Sequence, residues 1–342
     1  LQAALTTLRA LGRVAFIVSF AYFFGIKGAL AGYIAAPLLV FLIALCADIF
    51  ITHRYFPATK KPDTALVAFS GKTLLFYAGP LTLFLVFYEL ILTLDLYFVK
   101  ALLKDDHLTG MYSAAITVGR IPYYLFYALT IVLLPAISKT TAERNTEKTE
   151  GLVNTSLRLL VLLLFPMVTL LIAYAPQVLH LFYGSAYSEA ANPMSIFAIG
   201  VGFLTVFYVL SFALNGAGLV KVPMHLAFFG FLGMIFLNFL LIPPFALIGA
   251  ALATTIISFL LMLSILFYTR RHFNVRLSLK TITLSFISTL LITLLAYILP
   301  QGAYSFLASG VLLFFLYFAF LKLFGELQPA DTAPLVRLFK KA

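Results

Sequence analysis

The sequence predicts an all-α, polytopic transmembrane bundle of about ten spans, on three observations. First, 63% of the 342 residues are hydrophobic and only 10% charged, with mean hydropathy +1.07, whereas a soluble domain carries about 25% charged residues. Second, the apolar residues come in runs of about 20 that are apolar on every side, the length of a helix crossing a hydrocarbon core; an outer-membrane barrel would alternate with period two. Third, the basic residues sort alternately between runs, as they do in membrane proteins whose cytoplasmic loops attract Lys and Arg.

The runs lie at about 4–24, 29–51, 73–99, 111–137, 152–175, 191–214, 222–241, 248–268, 281–299 and 303–323. The first set of connections holds Arg9 and Arg13, then Arg54, Lys60, Lys61 and Lys72, then Lys139, Arg144, Lys148 and Arg158. It continues with Lys221, with Arg270, Arg271, Arg276 and Lys280, and with Lys322, Arg337, Lys340 and Lys341, making 19 of the 23 basic residues. The other set holds only Lys27, Lys100 and Lys104, and Arg120 lies inside a run. The positive-inside rule makes the first set cytoplasmic and puts both chain ends there, as expected of a multi-pass protein of the cell inner membrane.

The net charge of +11 does not point to nucleic acid, because that needs the basic residues on one soluble face. The single cysteine, Cys46, excludes an intrachain disulfide, and the lack of tryptophan leaves Tyr and Phe for the interfacial belt. Arg9 and Arg13 before an apolar run imitate a signal peptide, with Ala29-Leu30-Ala31 imitating its cleavage site. Cleavage there would cut into another run, so the expectation is the C-terminal part of a longer membrane protein.

Gly28 and Gly32 form a GxxxG that permits close helix packing. Pro80, Pro122, Pro135 and Pro166 fall in or near spans, where proline frees a carbonyl and bends a helix. Residues 32–56 and 249–273 align without gaps at an offset of 217, each opening on small residues and closing on basic and aromatic ones. Parallel repeats of this kind usually enclose a central site between two bundles. The stretch from Pro176 to Pro193 reads as a short amphipathic helix and turn on the outer surface, with His180 interfacial. Asp105, Asp106 and His107 read as a solvated turn, Lys139 to Lys148 as a solvated loop, and Asp48 as a snorkelling or capping residue near its span's cytoplasmic end.

The stretch from Lys72 to Ser138 organises the rest. It is two long apolar runs joined by a polar turn, with Glu89 and Asp95 on the first and Arg120 on the second. A charge at mid-bilayer costs roughly 2.5–3.5 kcal/mol on insertion scales, so these residues are functional or paired. Glu89 lies about 11 residues before the turn and Arg120 about 10 after it, each roughly 15 Å below the same surface. Three roles stay open for them: an ion pair across a helical hairpin, a substrate contact for Arg120, and a gating or proton-linked role for Glu89. Asp95 is expected nearer the outer surface, within reach of water. Asn215 and Asn238 are expected to bond between helices or to meet a sugar, and Tyr123, Tyr124 and Tyr127 to pack or to stack on sugar rings.

With the spans placed, four strings carry a resemblance: residues 112–138 (YSAAITVGRIPYYLFYALTIVLLPAIS), 181–191 (LFYGSAYSEAA), 214–221 (LNGAGLVK) and 238–254 (NFLLIPPFALIGAALAT). In this order and spacing they resemble the polysaccharide flippases, of O-antigen and exopolysaccharide type, of the multidrug/oligosaccharidyl-lipid/polysaccharide exporter superfamily. The resemblance implies a MATE-like fold, with residues 1–51 as the last two helices of a first lobe and 72–268 as a complete six-helix second lobe. Residues 281–323 would be two additional helices and 324–342 a cytoplasmic tail. It implies a transporter and not an enzyme, without cofactor or metal, moving a polyprenyl-diphosphate-linked oligosaccharide from the inner to the outer leaflet among membrane lipids. Proton or sodium coupling is left open.

The substrate-binding residues expected on this basis are Arg120, Glu89, Asp95, Asn238 and Tyr124, with Arg120 on the diphosphate. Relatives that flip lipid-linked peptidoglycan precursors carry an arginine in the equivalent helix, a few residues further before the proline than Arg120-Ile121-Pro122. The alternative is a cation-coupled multidrug exporter of the same superfamily, whose coupling carboxylates would cluster within a lobe.

Overall fold

The computed structural model describes residues 2–55, 71–275, 278–300, 302 and 304–327, with the side chains of 2–10, 48, 51–55 and 73 left aside. Asp48, Arg9, Arg54, Lys60, Lys61, Arg276, Arg337, Lys340 and Lys341, and most of the expected tail, therefore lie outside what is described. Eight helices among the described residues are long and apolar enough to cross a membrane, and two of these fold back on themselves. Counted limb by limb they make ten apolar limbs, as the hydropathy predicts. The chain divides into two compact units, residues 1–69 and 70–342.

The first unit is α1 (Gln2–Tyr55), two helical limbs joined at Gly25 with φ 60° and ψ −144°. The limbs run antiparallel. The Arg13 guanidinium sits 4.6 Å from the ring centre of Tyr33, and a Cβ at Gly28 or Gly32 would overlap the main chain at Phe20 or Phe16. The GxxxG thus brings the two limbs into backbone contact.

The second unit begins with α2 (Gly71–Leu103), α3 (Asp106–Gly119), α4 (Ile121–Ala142) and α5 (Thr146–Ala173). Then come α6 (Ala175–Tyr183), a 3-10 turn at Ser185–Ala190, α7 (Ala191–Gly216), α8 (Lys221–His272), α9 (Leu279–Ile298) and α10 (Ser305–Leu323). Helix α7 is the axis: it is apolar all round and packs on α8, α4, α5 and α3, as expected of a helix surrounded by others. Polar side chains set three helix starts, since Asp105, Asn145 and Ser278 accept from Leu108 N, Lys148 N and Thr281 N. Asp105 is thus a capping residue in the turn, and α6 with its 3-10 turn forms the short helix and turn expected between Pro176 and Pro193. A second, smaller core joins Leu162 and Tyr174 to Ile292, Ala296, Phe306, Leu313, Tyr317 and Leu321, seating α9 and α10 on α5.

Helix α8 repeats the device of α1. It turns at Ala246, φ 48° and ψ −127°, directly after Pro243 and Pro244. In each hairpin a glycine follows the turning residue by three and presses on the carbonyl eight residues before itself: Gly28 on Phe20, Gly249 on Leu241. The local geometry therefore aligns the two hairpins at an offset of 221 residues, not the 217 read from residue types. The difference is one helical turn, because small residues recurring every four positions satisfy either register.

The predicted span 111–137 is in fact two helices. Arg120 ends α3 and starts α4 with φ −83° and ψ −3°. Pro122 explains the break, since it offers no N–H to the carbonyl four residues earlier and favours the first turn of a new helix.

Candidate functional site

The buried stripe of α2 is Phe84, Tyr88, Ile91, Leu92, Asp95 and Val99, a helical spacing that turns one face inward. Asp95 is therefore fully buried, which corrects the expectation that it reaches water. Its Oδ2 accepts from the Tyr112 hydroxyl of α3 at 2.8 Å and lies 3.1 Å from the Thr254 hydroxyl in the second limb of α8. Its Oδ1 accepts from Leu96 N at 2.8 Å. A buried carboxylate needs such donors, because an unsatisfied one would meet the full cost of lost hydration.

Arg120 projects from the α3–α4 break back toward α2. It donates through Nη2 to the Leu92 carbonyl, and its guanidinium carbon lies 5.9 Å from the centre of the Phe197 ring. Gly119 beside it lets that ring come close, since a Cβ there would stand 2.7 Å from Phe197 Cδ1. Asp95 is in electrostatic reach. Among the described residues, however, no carboxylate oxygen lies within 4.0 Å of the guanidinium.

The expected pairing of Glu89 with Arg120 is thus corrected. Depth counting holds, since Arg120 reaches Leu92, one turn from Glu89. The face does not: Glu89 is one residue past buried Tyr88, so it is exposed. Tyr124 is 59% exposed. Asn238 is buried and donates to Met234 O of its own helix at 2.8 Å, not across helices, and its Oδ1 has no protein partner. Asn215 is buried with neither side-chain amide atom bonded, while its carbonyl accepts from the Tyr77 hydroxyl at 3.0 Å.

The structure therefore brings Asp95 and Arg120 together near Leu92 and sets Glu89 and Tyr124 on an open face. Sequence reasoning missed Tyr112 and Thr254. The depth count applied to Glu89 and Arg120 would also have placed Tyr112 level with Asp95. A second cluster was missed entirely. Arg158 of α5 lies 3.0 Å from Glu326, Nη1 to Oε1, and 3.1 Å from the Thr281 hydroxyl. Thr281 itself donates to Glu326, and Lys280 stands 3.8 Å from Glu326 Oε2. Nothing local in the sequence joins residues so far apart.

A guanidinium that, among the described residues, touches no carboxylate is suited to a planar or tetrahedral oxyanion. No cluster of three or more metal-ligating side chains occurs among the described residues, and His180 is exposed.

Comparison with known proteins bears on this geometry. The family model described as "Lipid II flippase MurJ" matches residues 11–321. The chain belongs to the MurJ family. That family's description is of a transporter, not of a catalyst of a chemical reaction. It does not single out the O-antigen branch. A solved MurJ, titled as the lipid II flippase in an inward closed conformation, superposes with TM-score 0.72 and 17% identity over 94% of this chain and 66% of its own. At that identity the likeness shows the MurJ fold alone. An uncharacterised membrane protein of Methanocaldococcus jannaschii is 29% identical over 154 residues, 44% of this chain and 34% of that protein. A MOP superfamily transporter from Pyrococcus furiosus aligns over 65% of this chain and 52% of its own at 20% identity and TM-score 0.49. The chain thus spans about a third of the archaeal relative and about two thirds of the solved flippase.

Proposed function

We propose that this MurJ-family chain moves a polyprenyl-diphosphate-linked saccharide across the cytoplasmic membrane, with Arg120 as the contact for the diphosphate. The observation that carries the reading is a guanidinium inside a run of apolar residues, held by a helix break and one carbonyl, with no carboxylate in contact among the described residues. The lipid named by the family, lipid II, is the first candidate cargo, and an oligosaccharide repeat unit is the second. Both present the same diphosphate to a wall that must offer donors in place of water. Asp95 replaces Glu89 as the better coupling candidate for a proton or sodium ion, because it is the carboxylate enclosed by helices α2, α3 and α8. The exporter alternative has less support: among the described residues Asp95 and Glu326 are the buried acids, and Glu326 is engaged by Arg158.

In this reading residues 72–268 are one six-helix lobe, 281–323 its appended pair and 1–51 part of the other lobe, with both ends of the chain cytoplasmic. The test is transport of fluorescent polyprenyl-diphosphate saccharide in proteoliposomes. Arg120→Ala is expected to lower the rate at least tenfold, about 1.4 kcal/mol or more, with Arg120→Lys intermediate. An unchanged rate in Arg120→Ala removes Arg120 from the proposed site.

A further inference from the structure

Helices α2, α4 and α7 bring five tyrosines and one acid together. Ring centres of Tyr88 and Tyr208 are 4.4 Å apart, and those of Tyr88 and Tyr123 5.9 Å. Tyr123 lies 5.5 Å from Tyr124 and 6.2 Å from Tyr127, which stacks on Tyr208 at 6.2 Å and 19°. The inner rings, Tyr88, Tyr123 and Tyr208, are buried, whereas Tyr124 and Tyr127 are 59% and 46% exposed. Glu89 follows Tyr88 in the chain and is exposed within electrostatic reach of Tyr123 and Tyr208.

Depth decides what this face meets. Tyrosines of an interfacial belt sit at the headgroup level, but Tyr88, Tyr123 and Tyr124 each lie within four residues of Glu89 or Arg120, so the rise that sets those two roughly 15 Å below the surface sets these rings near the same depth, with Tyr127 about one helical turn further along α4. An ionised glutamate directed at acyl chains there would cost about 2.5–3.5 kcal/mol, so the side of the wall bearing Glu89 faces water or polar cargo. Two open tyrosine rings braced by a buried aromatic cluster offer flat apolar faces, and the carboxylate beside them accepts from hydroxyl groups. A pyranose ring has both complements: axial C–H groups on one face and hydroxyl donors around its rim.

We propose that Glu89, Tyr124 and Tyr127 form a saccharide subsite that holds the sugar portion of the cargo while Arg120 holds its diphosphate. The subsite rests on the flippase reading and adds the group that distinguishes loaded from empty carrier lipid. The experiment is calorimetric titration of the full chain in nanodiscs with undecaprenyl diphosphate and with undecaprenyl diphosphate bearing one N-acetylglucosamine. The sugar-bearing lipid is expected to bind about tenfold tighter, the size of one good ring contact. In the Tyr124→Ala, Tyr127→Ala double variant that ratio falls to about one, and in the double Phe variant, which keeps the ring faces, it persists. Glu89→Gln lowers it about threefold, and this variant decides alone should the double Ala variant melt early. Equal affinities in the unaltered chain, a ratio that survives loss of both rings, or a ratio unmoved in Glu89→Gln overturns the subsite and leaves the flippase reading standing. Binding of neither lipid overturns both.

Discussion

Arg120 and Arg158 each enter the interior of the second unit near a buried acid, but the two surroundings differ in kind. Arg158 touches Glu326 at 3.0 Å and shares it with Thr281 and Lys280, so charge is neutralised by contact where α5, α9 and the end of α10 meet. Arg120 stands near Asp95, whose oxygens are taken by Tyr112, Thr254 and Leu96 N, and donates to a carbonyl of α2 beside the Phe197 ring, touching no carboxylate among the described residues. Contact neutralisation welds helices together. A cation left without it retains donors for an anion that arrives from outside, at some expense to stability.

If this contrast is right, breaking each network gives a different size of effect. The largest loss of stability is expected from Arg158→Ala, which leaves the buried Glu326 to Lys280 and the Thr281 hydroxyl; removing one partner of a buried pair costs about 3–5 kcal/mol, and the lower end applies here because the Arg158 side chain is 19% exposed. The thermal midpoint in detergent should fall and exchange protection be lost first in α9 and α10. An unchanged midpoint would make the pair a surface contact. Next comes Asp95→Ala, which orphans the Tyr112 hydroxyl and leaves Thr254 only the Ala250 carbonyl of its own helix, at about 1–3 kcal/mol, with Asp95→Asn milder; equal midpoints for the two variants would mean the acceptor oxygens are not what matters. Thr281→Val should cost about 1 kcal/mol, read from the same melts. Smallest is Arg120→Ala, at about 1 kcal/mol or less for one carbonyl bond, although its effect on transport is the greatest. A midpoint drop as large as that of Arg158→Ala would make Arg120 a structural residue and end the contrast.

Much of this was legible beforehand, for physical reasons that particular residues show. The ten limbs follow from run length, and the starts of α3, α5 and α9 from Asp105, Asn145 and Ser278, because capping acts within three residues. Depth was legible as well: Arg120 does arrive near the level of Glu89. Which side of α2 faces α3 was not. Glu89 and Tyr88 differ by one position, about 100° around the helix, and only packing against Tyr208 and Tyr123 chose between them. The four-residue slip between the two hairpins arose similarly, since the turning residue, Gly25 or Ala246, is fixed by backbone dihedrals that residue types did not reveal.

Composition and chain order by themselves determined that these residues cross a bilayer in about ten limbs and that charges lie where hydrocarbon excludes them, because transfer energy depends on what each residue is. Family membership was partly visible in four strings, although the branch they suggested was finer than the comparison supports. The tertiary structure alone decided that Asp95 is enclosed, that Arg120 is left without a carboxylate in contact among the described residues, and that Glu326 meets Arg158 across 168 positions. Those outcomes depend on the rotation of helices about their axes and on long-range contact, which no local pattern of residues encodes.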